Sequence, residues 1–273
     1  MLYSVDRQLE AEIAIDCLSE CDGFKKCQKI LCVDGASNFF PHDFQVLEIK
    51  RPQSGFYCWA KMWDEAIANA IYEKILYIDC DRIFPIDSLN KIYDSIRDNV
   101  FVFPRWLYSF RSLATLCEVK KVRDNFDESV LIADHRIYSS PWESIRKKNP
   151  MSGCVGFTKN SFITSGGLDY DFQGWGYPDT DYFEKTSRQG MIFAPLDIIE
   201  LHLKHSYSES FDKVKAMNLW NGIHFCEKWG YSIHPKLYQI ADEIDMPISM
   251  FRYSDNLQDF LEKLSTNRAI KIL

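Results

Sequence analysis

An acidic pair, Asp79 and Asp81, is the first group of residues whose types and spacing suggest chemistry. It follows residues 75–78, an apolar run typical of a buried strand. Alternation along an extended chain directs both carboxylates to one side, and their oxygens are hard ligands that suit Mn²⁺ or Mg²⁺. A solvated acidic turn is the alternative, but two carboxylates beside a core are costly without a cation. The sequence therefore predicts a divalent-metal site at this strand end.

Two histidines, His202 and His205, lie at the end of another apolar run, residues 198–203. An imidazole at a strand end is a common ligand of a divalent metal. Residues three apart on a strand point to opposite faces, so we expect only one of the two to bind. A lone histidine is more often structural, but beside the acidic pair we predict that His205 is a ligand.

Residues 174–181 have the sequence Gly-Trp-Gly-Tyr-Pro-Asp-Thr-Asp. One interpretation of Asp179 and Asp181 is that they complement the dipole of a helix that Pro178 begins. This interpretation does not account for the two glycines around Trp175, which let the backbone approach a ligand closely. We therefore predict that Trp175 is a stacking surface and that Asp179 is a general base beside it.

Strands and helices alternate in the part of the chain that must position these residues. Apolar runs predict strands at 30–34, 44–49, 75–78 and 100–103, and helices at 59–71 and 88–97. This order implies right-handed crossovers and an α/β fold with a mostly parallel sheet. Pro104 is expected to end the fourth strand. Later in the chain we predict a strand or turn at 151–158, strands at 191–195 and 198–203, a helix at 178–190, and mainly helices after residue 208.

The carboxyl ends of these strands are where ligands bind in such sheets. Asp34, Asp79 and Asp81 all fall at such ends. Asp34 follows the apolar residues 31–33, and its carboxylate can accept a hydrogen bond from a pyrimidine N–H. A turn residue before Gly35 is a nearly equal interpretation. Residues 120–150 are charge-rich and lack a regular pattern, which leaves two readings open, a solvated excursion or a mobile loop near an acceptor.

Composition limits the class of partner. The chain has 273 residues and a formal net charge of −7, which argues against nucleic acid because phosphate binding needs a basic field. It contains nine cysteines without a C-x-x-C pair, and we interpret Cys32, Cys58, Cys80 and Cys154 as buried thiols in a reducing compartment. There is no N-terminal apolar signal and no apolar run of membrane-spanning length. We expect a cytoplasmic protein, with peripheral association at the inner membrane face as an alternative.

Taken together, these segments resemble the GT-A class of glycosyltransferases, and in particular the β-1,4-galactosyltransferases and bacterial chondroitin-polymerase-type catalytic domains. Residues 174–181 are similar to the signature Trp-Gly-Trp-Gly-x-Glu-Asp-Asp-Asp, and residues 202–206, His-Leu-Lys-His-Ser, resemble the metal segment Met-x-x-His-Ser. Ala60-Lys61 before the acidic strand resembles the galactosyltransferase helix at that point. The chain departs at Trp59, where an arginine is expected, and at Pro178, where a glutamate is expected.

The resemblance implies a GT-A, Rossmann-like fold with a mixed, mostly parallel sheet flanked by helices. It implies a catalytic domain over residues 1–230, with a nucleotide-sugar half at about 1–104 and an acceptor half at about 105–230. Residues 231–273 are then a helical extension packed on the same domain.

Carried onto this sequence, the resemblance implies Asp179 as the catalytic base and a metal site formed by Asp79, Asp81 and His205. Asp34 contacts the uracil, and Asp79 lies beside the ribose or the metal. The residues implied to contact the donor are Asp34, Lys61, Asp79, Cys80, Gly153 and Trp175.

The expected reaction is inverting transfer of Gal, GalNAc or GlcNAc from a UDP-sugar to a saccharide hydroxyl, with Mn²⁺ or Mg²⁺ as cofactor. The sequence does not identify the donor sugar or the acceptor, and a lipid-linked saccharide is one option for the acceptor. The expected setting is the synthesis of surface polysaccharide or of another glycan. A retaining GalNAc-type transferase and a catalytically silent sugar- or nucleotide-binding module are the alternatives.

Overall fold

Two β-sheets, both within one compact unit, form the framework for the predicted site. The computed structural model describes residues 2–4, 7–36, 38–51, 56–133, 153–205 and 211–272. The chain divides into two units, the first made of Met1–Lys50, Lys61–Gly167 and Tyr182–Ser206, and the second of Arg51–Ala60, Leu168–Asp181 and Tyr207–Leu273. Most of the irregular segment at 120–150, from residue 134 onward, lies outside the described residues.

The smaller sheet consists of parallel strands in the order β1-β2-β3. Its strands are β1 (Leu2–Ser4), β2 (Ile30–Asp34) and β3 (Gln45–Ile49). Helices α1 (Gln8–Ser19) and α2 (Asp22–Lys25) connect β1 to β2, and α3 (Trp59–Asn69) follows β3. The predicted strand–helix alternation is therefore confirmed in this part, and Asp34 ends β2 as expected.

The larger sheet is mixed and has the order β4-β8-β6-β9-β5, with β7 paired to β6. Its strands are β4 (Lys74–Ile78), β5 (Arg82–Ile83), β6 (Val100–Phe110), β7 (Leu131–Ala133), β8 (Cys154–Thr158) and β9 (Ile192–His202). The helices between them are α4 (Ser88–Ser95), α5 (Leu116–Asp124), α6 (Lys159–Ser165) and α7 (Pro178–Arg188). Strands β6 and β9 are parallel, but β8 runs antiparallel to both of its neighbours. A mixed sheet was expected, but a mostly parallel one. In the larger sheet, β6 and β9 are the parallel pair, and the other strand pairs are antiparallel.

Prolines do not end the strands where the sequence predicted. Strand β6 continues through Pro104, and a single strand β9 replaces the two strands predicted on either side of residues 196–197. The β6–β9 register pairs Phe103 with Pro195 and becomes irregular between Pro104 and Trp106. Proline cannot donate to a strand ladder, and a β-bulge accommodates that missing donor without ending the pairing.

Helices cover both faces of the larger sheet. Successive side chains of β6 point to opposite faces, and each set packs against a different helix. Val100 and Val102 pack in an apolar cluster with Leu89 and Ile92 of α4. Phe101 points the other way and lies 5.9 Å from the ring of Tyr182 in α7. The sheet that positions the candidate site is therefore buried on both faces by apolar side chains.

The second unit is mainly helical, as predicted for the C-terminal part. It contains α8 (Phe211–Trp229), α9 (Pro235–Glu243), α10 (Ser249–Arg252) and α11 (Leu257–Ile272). Trp220 of α8 packs against Phe251 and Phe260, with ring centroids 4.5 and 5.4 Å apart. Within the described residues, none of the helices combines the length and the apolar character needed to cross a bilayer.

Candidate metal centre and catalytic loop

Asp81, His202 and His205 come together where β5 pairs with β9. Asp81 lies in the tight turn between β4 and β5, and the backbone N–H of Leu203 donates to its carbonyl oxygen at 2.9 Å. Its Oδ2 atom lies 3.4 Å from Nε2 of His202 and 3.2 Å from Nε2 of His205. One ligand atom from each residue fits within 4.8 Å of the other two. A carboxylate and two imidazoles at this spacing can hold one divalent cation.

His202 joins this group although the sequence predicted that the two histidines point to opposite faces. The Nε2 atoms of His202 and His205 are 3.3 Å apart. The prediction assumed a strand through both residues, but β9 ends at His202, before His205, so strand alternation does not apply to the pair. Both rings therefore reach Asp81, and the candidate metal centre has two imidazoles instead of one.

Positive groups surround the Asp81 carboxylate. Arg82 Nε lies 3.0 Å from Oδ1, and Arg7 Nη1 lies 3.5 Å from Oδ2. Burial favours the neutral acid, but the charge of Arg82 and the interactions with His202 and His205 outweigh it and hold the pKa of Asp81 well below its usual value. The Asp81 carboxylate is therefore ionised at neutral pH, the form in which it could bind a cation.

Ser109 fixes the orientation of the His202 ring. Its hydroxyl lies 3.0 Å from Nδ1 of His202, and β6 places it directly opposite His202 in the parallel register. When Nε2 binds a metal, Nδ1 carries the proton and can donate a hydrogen bond to the Ser109 hydroxyl oxygen. The hydroxyl accommodates either tautomer, so this contact orients the ring and is compatible with metal binding through Nε2.

Replacing Ser109 by alanine is expected to weaken Mn²⁺ binding about 10–100-fold, because the His202 ring loses the contact that orients it. Titration of the protein with Mn²⁺, followed by electron paramagnetic resonance, measures this change. Ser95→Ala, whose hydroxyl bonds only to Lys91 within α4, is the control. Equal Mn²⁺ affinity in the two variants would contradict the role of Ser109.

Asp79 is not part of the group of three ligands. Its backbone N–H donates to Gly153 at 2.8 Å, and its Oδ1 accepts a hydrogen bond from the hydroxyl of Tyr77. Its Oδ2 lies 3.9 Å from Arg82 Nη2. The structure therefore links both carboxylates of the acidic pair through Arg82, and Asp79 lies next to the metal centre.

Gly153 occupies a position that tolerates no side chain. Its φ angle is +84°, and a Cβ atom there would lie 2.9 Å from Arg82 Cζ and collide with Oε1 of Glu200. Glu200 is fully buried, and its Oε1 lies 3.4 Å from Arg82 Nη1. The backbone of Gly153 therefore packs directly against Arg82 and Glu200, and Arg82 in turn pairs with Asp81.

The Gly153→Ala variant is expected to lower the free energy of unfolding by more than the roughly 1–2 kcal/mol of a left-handed alanine. Gly190→Ala is the matched control, because Gly190 has a φ angle of +81° and no neighbour within 4 Å of a Cβ atom. Urea unfolding of both variants isolates the collision with Arg82 and Glu200. Equal losses in the two variants would show that the collision has no cost.

The other predicted donor residues of the first unit occupy separate elements. Asp34 is buried at the end of β2. Lys61 lies in α3, and its ammonium donates to the carbonyl of Lys50 at 3.1 Å. The Cys80 side chain lies in an apolar cluster with Leu31, so a donor contact at this residue would come from its backbone. Cys32, Cys58 and Cys154 are buried thiols, as predicted.

The candidate catalytic loop, residues 173–181, belongs to the second unit. Trp175 is half-buried and meets the ring of Tyr57 edge-on at 5.8 Å. Asp179 is also half-buried in the first turn of α7, and its Oδ1 accepts a hydrogen bond from the backbone N–H of Thr180 at 2.9 Å. An aromatic surface and a carboxylate therefore lie on one short segment, as the sequence predicted.

Asp181 has a structural role that differs from that of Asp179. It is fully buried, and it accepts hydrogen bonds from Lys228 and from Trp229 Nε1, both at 2.8 Å. Burial raises its pKa, and these two donors oppose the shift. Asp181 therefore fastens α7 to the end of α8.

Several residues of the candidate metal centre and of the candidate catalytic loop belong to no recognisable sequence motif. Glu200 lies two residues before His202 on one strand, so period-two alternation could have placed it on the same face. Arg82 is adjacent to Asp81 in sequence. Arg7 and Ser109 reach the metal centre only through tertiary structure, as does Asn221 at the catalytic loop. Those long-range contacts leave no signal in a single sequence.

Comparisons with known proteins agree with this geometry. Residues 136–215 match a family model described as the N-terminal domain of galactosyltransferase. No curated protein sequence matches the chain. The fold is similar to the crystal structure of GalNAc-T7 with UDP, GalNAc and Mn²⁺, with a TM-score of 0.53 and 13% sequence identity.

That similarity covers 93% of this chain and 53% of the GalNAc-T7 chain, so this chain spans about half the length of the structure it matches. The protein therefore has a mixed α/β fold of the GT-A glycosyltransferase type.

Proposed function

We propose that the protein is a metal-dependent, inverting glycosyltransferase. It moves a hexose or N-acetylhexosamine, such as Gal, GalNAc or GlcNAc, from a UDP-sugar to a saccharide hydroxyl in surface polysaccharide or glycan synthesis. The observation that carries this proposal is the group of Asp81, His202 and His205 within a GT-A-type fold. The match of residues 136–215 to a galactosyltransferase domain supports it.

The proposed metal is Mn²⁺, held by Asp81, His202 and His205, with Asp79 beside it or beside the donor ribose. Two imidazoles are poor ligands for Mg²⁺, so this donor set favours Mn²⁺ of the two. GalNAc-T7 is solved with Mn²⁺ and UDP, which supports the same pairing here. Bound there, the ion stabilises the negative charge that develops on the departing UDP.

The remaining roles belong to the chain itself. Asp179 accepts the proton of the acceptor hydroxyl as that oxygen attacks the anomeric carbon. Trp175 offers its ring face to a sugar. Gly153 keeps the wall beside Asp79 free of a side chain, which lets the donor approach the backbone. The proposed nucleotide contacts are Asp34 at the uracil, with Lys61 and the backbone of Cys80 further along the donor.

A retaining transferase of the GalNAc type is the second candidate, because the chain shares its fold with GalNAc-T7. A retaining enzyme would not need Asp179 as a base. The stereochemistry of the product separates the two, since a UDP-α-sugar gives a β-linked product by inversion and an α-linked product by retention.

Nuclear magnetic resonance of the new anomeric proton tests the proposal directly. The protein is incubated with Mn²⁺, a UDP-sugar that it turns over and a panel of saccharide acceptors. We expect a β-linkage formed from an α-linked donor. An α-linkage would overturn the inverting mechanism and the role of Asp179 while leaving the transferase assignment intact.

A further inference from the structure

Helix α8 shapes the backbone of the catalytic loop by close contact. Gly174 and Gly176 have φ angles of +68° and +90°. A Cβ atom at Gly174 would collide with the Met217 sulfur, and one at Gly176 with Oδ1 of Asn218. Tyr177, which follows, has a φ angle of +72°, unusual for a residue with a side chain. The loop therefore lies in close contact with α8, in a conformation that the two glycines adopt readily and that is unfavourable for Tyr177.

Asn221 of α8 holds this conformation through hydrogen bonds. Its side chain is fully buried, and Nδ2 donates to the carbonyl oxygens of Gln173, Trp175 and Gly176 at 2.9, 3.0 and 2.9 Å. An amide group has two hydrogens, so three carbonyls converge on one donor group. Without it, these three partly buried carbonyl oxygens would lose the hydrogen bonds that Asn221 donates, which is costly.

The far end of the same segment is fixed by the same helix. Lys228 and Trp229 of α8 hold the buried carboxylate of Asp181. Asp179 therefore lies between two attachment points on α8, the Asn221 amide on one side and the Asp181 contacts on the other. A catalytic base needs this kind of constraint, because a misplacement of about 1 Å can cost a factor of about 100 in rate.

We propose that Asn221 is a positioning residue for transfer: its amide fixes the backbone of residues 173–176 so that Trp175 and Asp179 adopt their working orientation. Asn221 itself touches neither substrate nor metal in this proposal. The inference rests on the proposed function for the role of Asp179, but the hydrogen-bonded clamp on the loop can be tested without turnover.

The experiment compares Asn221→Ala and Asn221→Ser with Trp220→Leu. Trp220 is adjacent in α8 but packs on Phe251 and Phe260, so its replacement weakens the same helix without removing the clamp. Asn221→Ser keeps one smaller donor and serves as the measured variant if Asn221→Ala does not fold. Hydrogen–deuterium exchange of residues 173–177 reports the loop, and kcat, the KM for the UDP-sugar and the Kd for Mn²⁺ report the site.

We expect faster exchange of residues 173–177 in the Asn221 variants, a kcat lower by about 100-fold, and an unchanged donor KM and Mn²⁺ Kd. Trp220→Leu is expected to lower the Tm and leave kcat and loop exchange unchanged. Unchanged loop exchange in the Asn221 variants would overturn the clamp. Faster exchange with unchanged kcat would overturn the positioning role. Faster exchange in a protein whose wild type transfers no sugar would support the clamp and count against the proposed function.

Discussion

Replacing Asp179 by asparagine is expected to lower kcat by about 10²–10⁴. The variant keeps the size of the side chain and can still accept the hydrogen bond from Thr180. It loses the ability to take a proton from the acceptor hydroxyl. The KM for the UDP-sugar and the Kd for Mn²⁺ are expected to stay unchanged, because neither depends on that proton transfer. Steady-state kinetics with and without a saccharide acceptor measure the effect.

Asp171→Asn is the matched control for this variant. The Asp171→Asn variant carries the same replacement of a carboxylate by an amide, in the same unit as Asp179. Asp171 itself is exposed and lies before residues 173–181 in the sequence. We expect wild-type kcat for Asp171→Asn. A folded Asp179→Asn variant with wild-type kcat would remove Asp179 from the mechanism and favour the retaining alternative, which needs no base at this position.

The second large effect is expected for Asp81. Asp81→Asn should reduce Mn²⁺ affinity by more than the roughly 10–100-fold typical of losing an outer contact to a ligand, because here the charged ligand itself is lost. Metal-dependent transfer should disappear with it. Mn²⁺ titration by electron paramagnetic resonance measures the affinity, and Asp94→Asn on the exposed side of α4 is the control.

The same substitution also affects stability, since Asp81 balances the buried guanidinium groups of Arg7 and Arg82. Removing one partner of a buried ion pair costs about 3–5 kcal/mol. His205→Gln therefore accompanies it, because this variant removes a ligand and leaves the arginine pairs intact. Wild-type Mn²⁺ affinity in both folded variants would show that the three residues do not form the metal site.

Local sequence patterns predict the strands and helices of this protein well where a single local property determines the structure of the segment. Residues 30–33 and 75–78 are short apolar runs, each followed by an aspartate, and they lie in strands β2 and β4 at the expected positions. Pro178 begins α7 as predicted, because its fixed φ angle suits the first helical turn. The motifs at Asp81, His205 and Asp179 were visible because their chemistry is local.

The prediction failed where tertiary structure overrides a local rule. Pro104 was expected to end a strand, but β6 continues past it, paired with β9 on both sides of a shift in register. His202 was set apart from His205 by strand alternation, yet the strand ends between them. Arg7 meets Asp81 across 74 positions of sequence, and Asn221 meets Trp175 across 46. Contacts of that separation are decided by the fold and leave no periodic signal.

The measurement that tests the central claim most directly is release of UDP from a panel of UDP-sugars, with and without Mn²⁺, in the presence of saccharide acceptors. The account predicts turnover with one donor of the hexose or N-acetylhexosamine type, its loss on chelation, and its recovery when Mn²⁺ is restored. Release of UDP that is unaffected by chelation would contradict metal-dependent transfer. Binding of UDP without turnover of any donor would contradict enzymatic activity and support a nucleotide-binding module.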